Sequence, residues 1–189
     1  MLYTKGYNRE RALDYARRWA LSRNPLFRDY TGFGGNCTNF VSQAVYAGSC
    51  VMNYTPVFGW YYRSDGDRTP SWTGVEFFYN FMTENMGVGP FAVEVEADAL
   101  EIGDVIQLYR DGTGYYHTLL VTGFEDNTYL VSAQSDDAEN RRLDTYTYDK
   151  ARYIHILGVR VDLPPVEDCF EPLLNGERIV SNDEMPTEE

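Results

Sequence analysis

A chain of 189 residues with 43% hydrophobic content can bury one ordinary core, which argues for a single principal domain and against general disorder. A formal net charge of −13, with 16 Lys and Arg scattered along the chain, argues against a nucleic-acid backbone or an anionic membrane as the natural partner. Sixteen Tyr, ten Phe and three Trp suit core, interface or carbohydrate-facing positions and do not choose among them.

The first segment, YNRERALDYARRWALSRNP, reads as an amphipathic helix. Ala12, Tyr15, Ala16, Trp19 and Ala20 fall at three-and-four spacing, Asn8 is the candidate cap, and Pro25 lies beyond the end. TGFGGN is then a loop whose three glycines allow close approach and unusual dihedrals. From Cys37 onward, Phe40, Val41, Ala44 and Val45 make one helical face, with Gly48 as the expected stop. Cys37 therefore falls in the first turn or just before it. Residues 51–70 read as an irregular, aromatic-rich loop. SWTGVEFFYNFMTENMG predicts a third helix through Val75, Phe78, Tyr79 and Met82, with Ser71 as the cap and Gly87 and Gly89-Pro90 as its end.

Near residue 91 the pattern changes. AVEVE, DVIQLYR, YYHTLLVTGF, TYLVSAQS and RYIHILGVRV are strand-like, separated by turns such as DGTG and EDN. Helices followed by hairpin-linked strands indicate the α+β class, with N-terminal helices packed on a C-terminal antiparallel sheet. The domain is expected over residues 1–162, and residues 163–189 form an acidic extension with a disordered end.

Cys37, Cys50 and Cys169 cannot all pair within the chain, and their spacing misses the Cys-x-x-Cys pattern of many zinc sites. Cys50 and Cys169 read as core or surface thiols. Free thiols suit a reducing compartment, and MLYTKGYNRE has no apolar signal core. No apolar run is long enough for a membrane span. The chain as given is thus expected in the cytoplasm, or exported to the cell wall if its start has been trimmed.

Only two histidines are present, His117 and His155. His155, in YIHILGV, reads equally as a satisfied polar residue on a strand. Cys37 and His117 make a more specific pair. A thiol at a helix start faces unsatisfied N–H groups and the positive end of the dipole, which favour thiolate. An imidazole on a rigid strand can accept the thiol proton, and the first-turn N–H groups can receive a developing oxyanion. The competing reading is a buried cysteine acting as a small apolar residue. A third group should orient His117 from the end of the next strand, where Gln134 is the in-strand candidate and Asp136 the ionic one. Asn36, Trp60, Tyr61, Trp72 and Tyr116 are candidate groove residues, although core packing is the commoner role of aromatics. No serine nucleophile elbow, phosphate loop, calcium loop or zinc cluster is present in the sequence.

In order, YNRERALDYARRWALSRNPLF, NCTNFVSQAVYAG, SWTGVEFF and IGDVIQLY…HTLLVTGF resemble the bacterial putative amidase domain family. That family stands with papain-like cysteine peptidases and amidases, including cell-wall hydrolases and CHAP domains. The resemblance runs over roughly residues 7–158. It implies a papain-like fold, Cys37 as nucleophile and His117 as base, hydrolysing an amide in a peptide or peptidoglycan without metal or cofactor. The family phrase has Asp where this chain has Asn36, and a His-Thr-x-Asp-like phrase where it has AQSDD, so that Gln134 takes that histidine's position. Alternatives on the same fold are a catalytically impaired module that binds cell-wall or peptide ligands, and transfer of the acyl group to another acceptor.

Overall fold

Asn8 opens the first helix, its side-chain oxygen accepting from the Arg11 N–H at 3.1 Å. In the computed structural model, which describes residues 1–162 and 168–178, strand β1 (Tyr3–Lys5) precedes this helix, α1 (Arg9–Trp19). The glycine loop leads to α2 (Cys37–Ser49), and the short hairpin β2 (Tyr62–Ser64) and β3 (Asp67–Arg68) follows. A single turn α3 (Pro70–Thr73) and helix α4 (Val75–Glu84) complete the N-terminal half. Ser71, expected to cap the third helix, lies within α3 and donates to the Gly59 carbonyl at 2.6 Å. Gly48 does not end α2. The helix runs on to Ser49 and closes on Cys50 in the left-handed region at φ 50°, because Gly48 serves a close approach. A Cβ there would sit 2.4 Å from the Tyr7 ring.

The C-terminal half supplies β4 (Gly89–Val95), β5 (Val105–Arg110), β6 (Gly114–Glu125), β7 (Thr128–Ala133), β8 (Ala138–Arg142) and β9 (Lys150–Val161). They join β1 in a seven-stranded antiparallel sheet of order β1-β9-β5-β6-β7-β8, with β4 also pairing β9. Asp126 and Asn127 take positive φ in the tight turn between β6 and β7, the conformation a two-residue hairpin requires. The fold is α+β, with helices first and the antiparallel sheet after them.

The sheet is buried on both faces. Val105, Leu120, Ile154 and Ile156 pack with the helices, whereas Ile106, Leu108, Leu119, Val121 and Val131 form a second cluster closed by Leu143 and several tyrosines. Every residue of α2 except Tyr46 is buried, so its polar residues need internal partners. Ser42 donates to the Trp72 carbonyl and accepts from Trp60 Nε1, while Asn39 accepts from Trp72 Nε1 at 3.0 Å. Asp104, fully buried at the start of β5, receives Arg9 at 2.7 Å and the Ile156 N–H, and pairs with His155 Nδ1 at 2.7 Å. Arg9 thereby locks the beginning of α1 to the sheet, and His155 is engaged by the same buried carboxylate.

The described part of the extension packs on the domain. Cys169 is bonded to Cys50 in a disulfide, and helix α5 (Phe170–Asn175) buries Phe170 and Leu173 in the helix-side core. The reading of Cys50 and Cys169 as free thiols is therefore corrected: the chain reversal at the end of α2 presents Cys50 to a segment 119 residues away. The disorder expected at the end of the chain lies outside the described residues. Closing so long a loop restricts the unfolded chain, so replacing both cysteines by serine is expected to cost about 2–5 kcal/mol of stability. Denaturant unfolding with and without reductant checks this. An unchanged midpoint would show that the cross-link contributes nothing.

Candidate active site

Three glycines bring the chain to the start of α2 with positive φ, 82° at Gly32, 94° at Gly34 and 101° at Gly35, where a side chain would be strained. The helix then begins at Cys37. On one side of the thiol, Asn36 is buried and fully engaged. Its side-chain oxygen accepts from the Tyr30 N–H and from Asn39 Nδ2, and its Nδ2 donates to Gln134 Oε1 at 2.6 Å. On the other side, Thr38 Oγ1 lies 2.9 Å from Thr118 Oγ1 on β6, both fully buried. Thr118 follows His117 as Thr38 follows Cys37, so this hydroxyl pair sets the two elements side by side. Among the described residues, no hydrogen bond uses the backbone N–H groups of Cys37, Thr38 or Asn39. They are the orphan donors of the helix start.

His117 lies where the β5–β6 register shifts, between the pairs Leu108↔His117 and Tyr109↔Tyr115, and below the last β6–β7 pair, Leu120↔Ser132. Below that pair, β6 meets the start of α2 through Thr118 and Thr38. The imidazole is flanked by the rings of Tyr116 at 6.1 Å and Tyr146 at 6.0 Å. Burial pushes its pKa down from 6.5 to about 4, against the pull of the Asp136 carboxylate and with the help of the Arg141 charge. His117 is therefore neutral near pH 7 and able to accept a proton.

Cys37 is only 8% exposed, yet it lines an open pocket of about 390 Å³ together with His117, Gly35, Tyr116, Asp136 and Tyr146. No hydrogen bond joins the Cys37 sulfur to the imidazole; the sulfur sits 3.8 Å from Thr38 Oγ1. Larger hollows elsewhere, such as that of about 620 Å³ beside Tyr129 and Tyr153, contain neither residue.

Of the residues singled out in the sequence, Cys37, His117, Asp136 and Tyr116 meet at this pocket. Gln134 makes no hydrogen bond to the histidine. Its Nε2 donates to the carbonyls of Trp19 at 2.7 Å and Ser22 at 2.8 Å, and its oxygen is taken by Asn36. Asp136 acts on His117 through its charge and makes no hydrogen bond to it. The groove role expected of Asn36, Trp60 and Trp72 gives way to burial, at 1%, 0% and 0% exposure. Tyr61 donates to Asp67 and is not part of the pocket lining. Ser135, beside Asp136 in the same AQSDD stretch, also lines the pocket, and Arg110, Arg141 and Tyr146 do so without being marked by any sequence motif. Among the described residues no group of three or more His, Cys, Asp or Glu is placed to hold a metal ion.

A thiol at a helix start with unpaired N–H groups and a neutral imidazole in the same pocket are the parts that acyl-transfer chemistry uses. The model of the putative amidase domain matches residues 6–157, which is most of the chain and contains the whole site. The chain belongs to the putative amidase domain family. It is 34% identical over 140 residues to the uncharacterized protein YhbB of Bacillus subtilis, covering 71% of this chain and 43% of that protein. It is 26% identical over 133 residues to the uncharacterized protein YjcM of the same organism, covering 70% of this chain and 29% of that protein. The chain thus spans less than half the length of these curated relatives. No solved structure matches it.

Asn36 and Gln134 share the 2.6 Å hydrogen bond beside the thiol. Asn36 both donates and accepts there, which a carboxylate cannot do. Asn36→Asp is expected to leave Gln134 Oε1 facing a buried carboxylate and to destabilise the fold by about 1–3 kcal/mol. Chemical denaturation measures this. A cost near zero would mean that Gln134 turns over freely, at the expense of its bonds to Trp19 and Ser22.

Proposed function

We propose that this chain is a cysteine-dependent hydrolase of amide bonds, with Cys37 as nucleophile and His117 as general base. The observation that carries the reading is the joint presence of the free thiol and the neutral imidazole in the lining of one open pocket, at the unpaired start of α2. His117 takes the thiol proton as the sulfur attacks the amide carbonyl, forming the S–C bond. The N–H groups of the first turn of α2 donate hydrogen bonds to the developing charge on the carbonyl oxygen. The imidazolium then protonates the departing amine as the C–N bond breaks. Water, deprotonated by His117, resolves the thioester to acid and free thiol. The missing Cys37–His117 hydrogen bond accords with sites that tighten only on substrate.

The substrate is a peptide or peptidoglycan-like amide, read from the family. A papain-like relationship follows from the same resemblance. The Cys50–Cys169 disulfide favours an oxidising setting, such as the outside of the cell, over the reducing compartment first expected. No helix among the described residues is long and apolar enough to cross a membrane. A second reading, a binding module with impaired chemistry, is favoured by one observation: no hydrogen-bonding group among the described residues fixes the His117 ring.

Hydrolysis of a panel of peptide amides and peptidoglycan fragments separates the two. Cys37→Ala is expected to reduce turnover to background and His117→Ala to lower kcat by at least about a hundredfold. Full activity in the C37A variant would exclude Cys37 as nucleophile, and binding without turnover by the unmodified protein would favour the module. The pH profile carries a further expectation. The base form of His117 is the neutral one, so activity is lost as pH falls through its pKa. The acid limb of kcat/KM is expected near pH 4, well below the 6.5 of an ordinary histidine.

A further inference from the structure

The chain as a whole is strongly acidic, at −13, yet two arginines, Arg110 and Arg141, line the Cys37 pocket. Each is held in place by a tyrosine that itself flanks His117. The Arg110 guanidinium stacks 4.8 Å from the Tyr116 ring, and its Nη2 donates to the Thr147 carbonyl at 3.2 Å. The Arg141 guanidinium lies 3.9 Å from the Tyr146 ring, with Nε donating to Thr145 Oγ1 and Nη2 to the Thr145 carbonyl. Stacking and carbonyl bonds fix the planes of both forks, and so reduce the ordering cost of engaging a ligand.

Their charges are poorly matched within the protein. Arg110 has no carboxylate partner among the described residues, and its Nε and Nη1 make no hydrogen bond. Arg141 keeps only Asp136, at 3.9 Å and on a side chain 93% exposed, a separation at which water screens most of the attraction. Many of the other arginines, such as Arg9, Arg11, Arg23 and Arg142, have carboxylates at 2.7–3.3 Å. With two arginines against the single carboxylate of Asp136, the pocket carries a net positive charge where the rest of the molecule is negative.

The geometry points to Arg110 and Arg141 as specificity residues that select substrates carrying a carboxylate close to the amide presented to Cys37. This rests on the reading of Cys37 as the reactive thiol. The matching substrate class is an acidic peptide amide, one with a side-chain or terminal carboxylate beside the scissile bond, whose two oxygens suit the guanidinium fork.

Alkylation tests the inference without knowledge of the natural substrate. Iodoacetate and iodoacetamide both form an S–C bond with the Cys37 thiolate and release iodide, and they differ chiefly in a carboxylate against a carboxamide. The second-order rates are followed by intact mass, with peptide mapping of Cys37. The iodoacetate-to-iodoacetamide ratio is expected to exceed that of a free cysteine peptide by about threefold or more, and Arg110→Gln and Arg141→Gln are each expected to lower it toward the peptide value. A change in His117 basicity alters both rates together and leaves the ratio in place. A ratio equal to that of the peptide, and unmoved in R110Q and R141Q, would overturn the carboxylate preference while leaving Cys37 reactive. A Cys37 that resists both reagents would instead defeat the reading of the site on which the inference rests.

Discussion

The position of the first turn of α2 is the constraint from which the rest of the molecule follows. That turn is gripped by buried polar bonds on both sides of Cys37, through Asn36 to Gln134 and through Thr38 to Thr118. Gln134 carries the grip onward to the last carbonyls of α1, and Asn39 carries it to Trp72. An unmade bond in such a network leaves a buried donor or acceptor without water, so each partner holds its neighbours to one geometry. The thiol is thus fixed beside β6 by groups that do not themselves enter the pocket. Position and chemistry are supplied by different residues.

The electrostatics of the site arise from the same packing. His117 is taken out of water by the tyrosines around it, which disfavours its charged form more than Asp136 favours it. A neutral imidazole can take the thiol proton as the sulfur attacks, so the reactivity of the thiol depends on the ring beside it. The tyrosine-rich second face of the sheet therefore does more than cover a core. It sets the charge state of the imidazole and holds the two arginines at the pocket.

Periodicity made the main elements legible. The apolar stripe of α1, the start of α2 at Cys37 and the strand-forming runs after residue 91 all rest on patterns that burial enforces. Short edge strands such as β1 and β8 carry too few residues for such a pattern. The polar face of α2 escaped for another reason: Ser42, Asn39 and Gln43 look solvent-facing in sequence and are buried only because Trp60, Trp72 and Tyr15 bring them partners. Gly48 fits a helix stop by its local chemistry, while its actual constraint is the Tyr7 ring from a distant segment. The disulfide was hidden by an odd cysteine count, since parity does not say which thiol is left over. At the site, the thiol and the imidazole stood out because each is rare in the chain. Arg110, Arg141 and Tyr146 did not, since one arginine or tyrosine among many carries no mark until folding brings it to the pocket.

The account stands on Cys37 and His117 acting as a pair. The most direct measurement is the rate of Cys37 alkylation by iodoacetamide at pH 7, compared between the unmodified protein and the H117A variant and mapped to the residue by mass spectrometry. The account predicts rapid modification of Cys37 that slows at least about tenfold when the imidazole is removed. Equal rates in the two proteins would contradict it, because the thiol would then owe nothing to the histidine beside it.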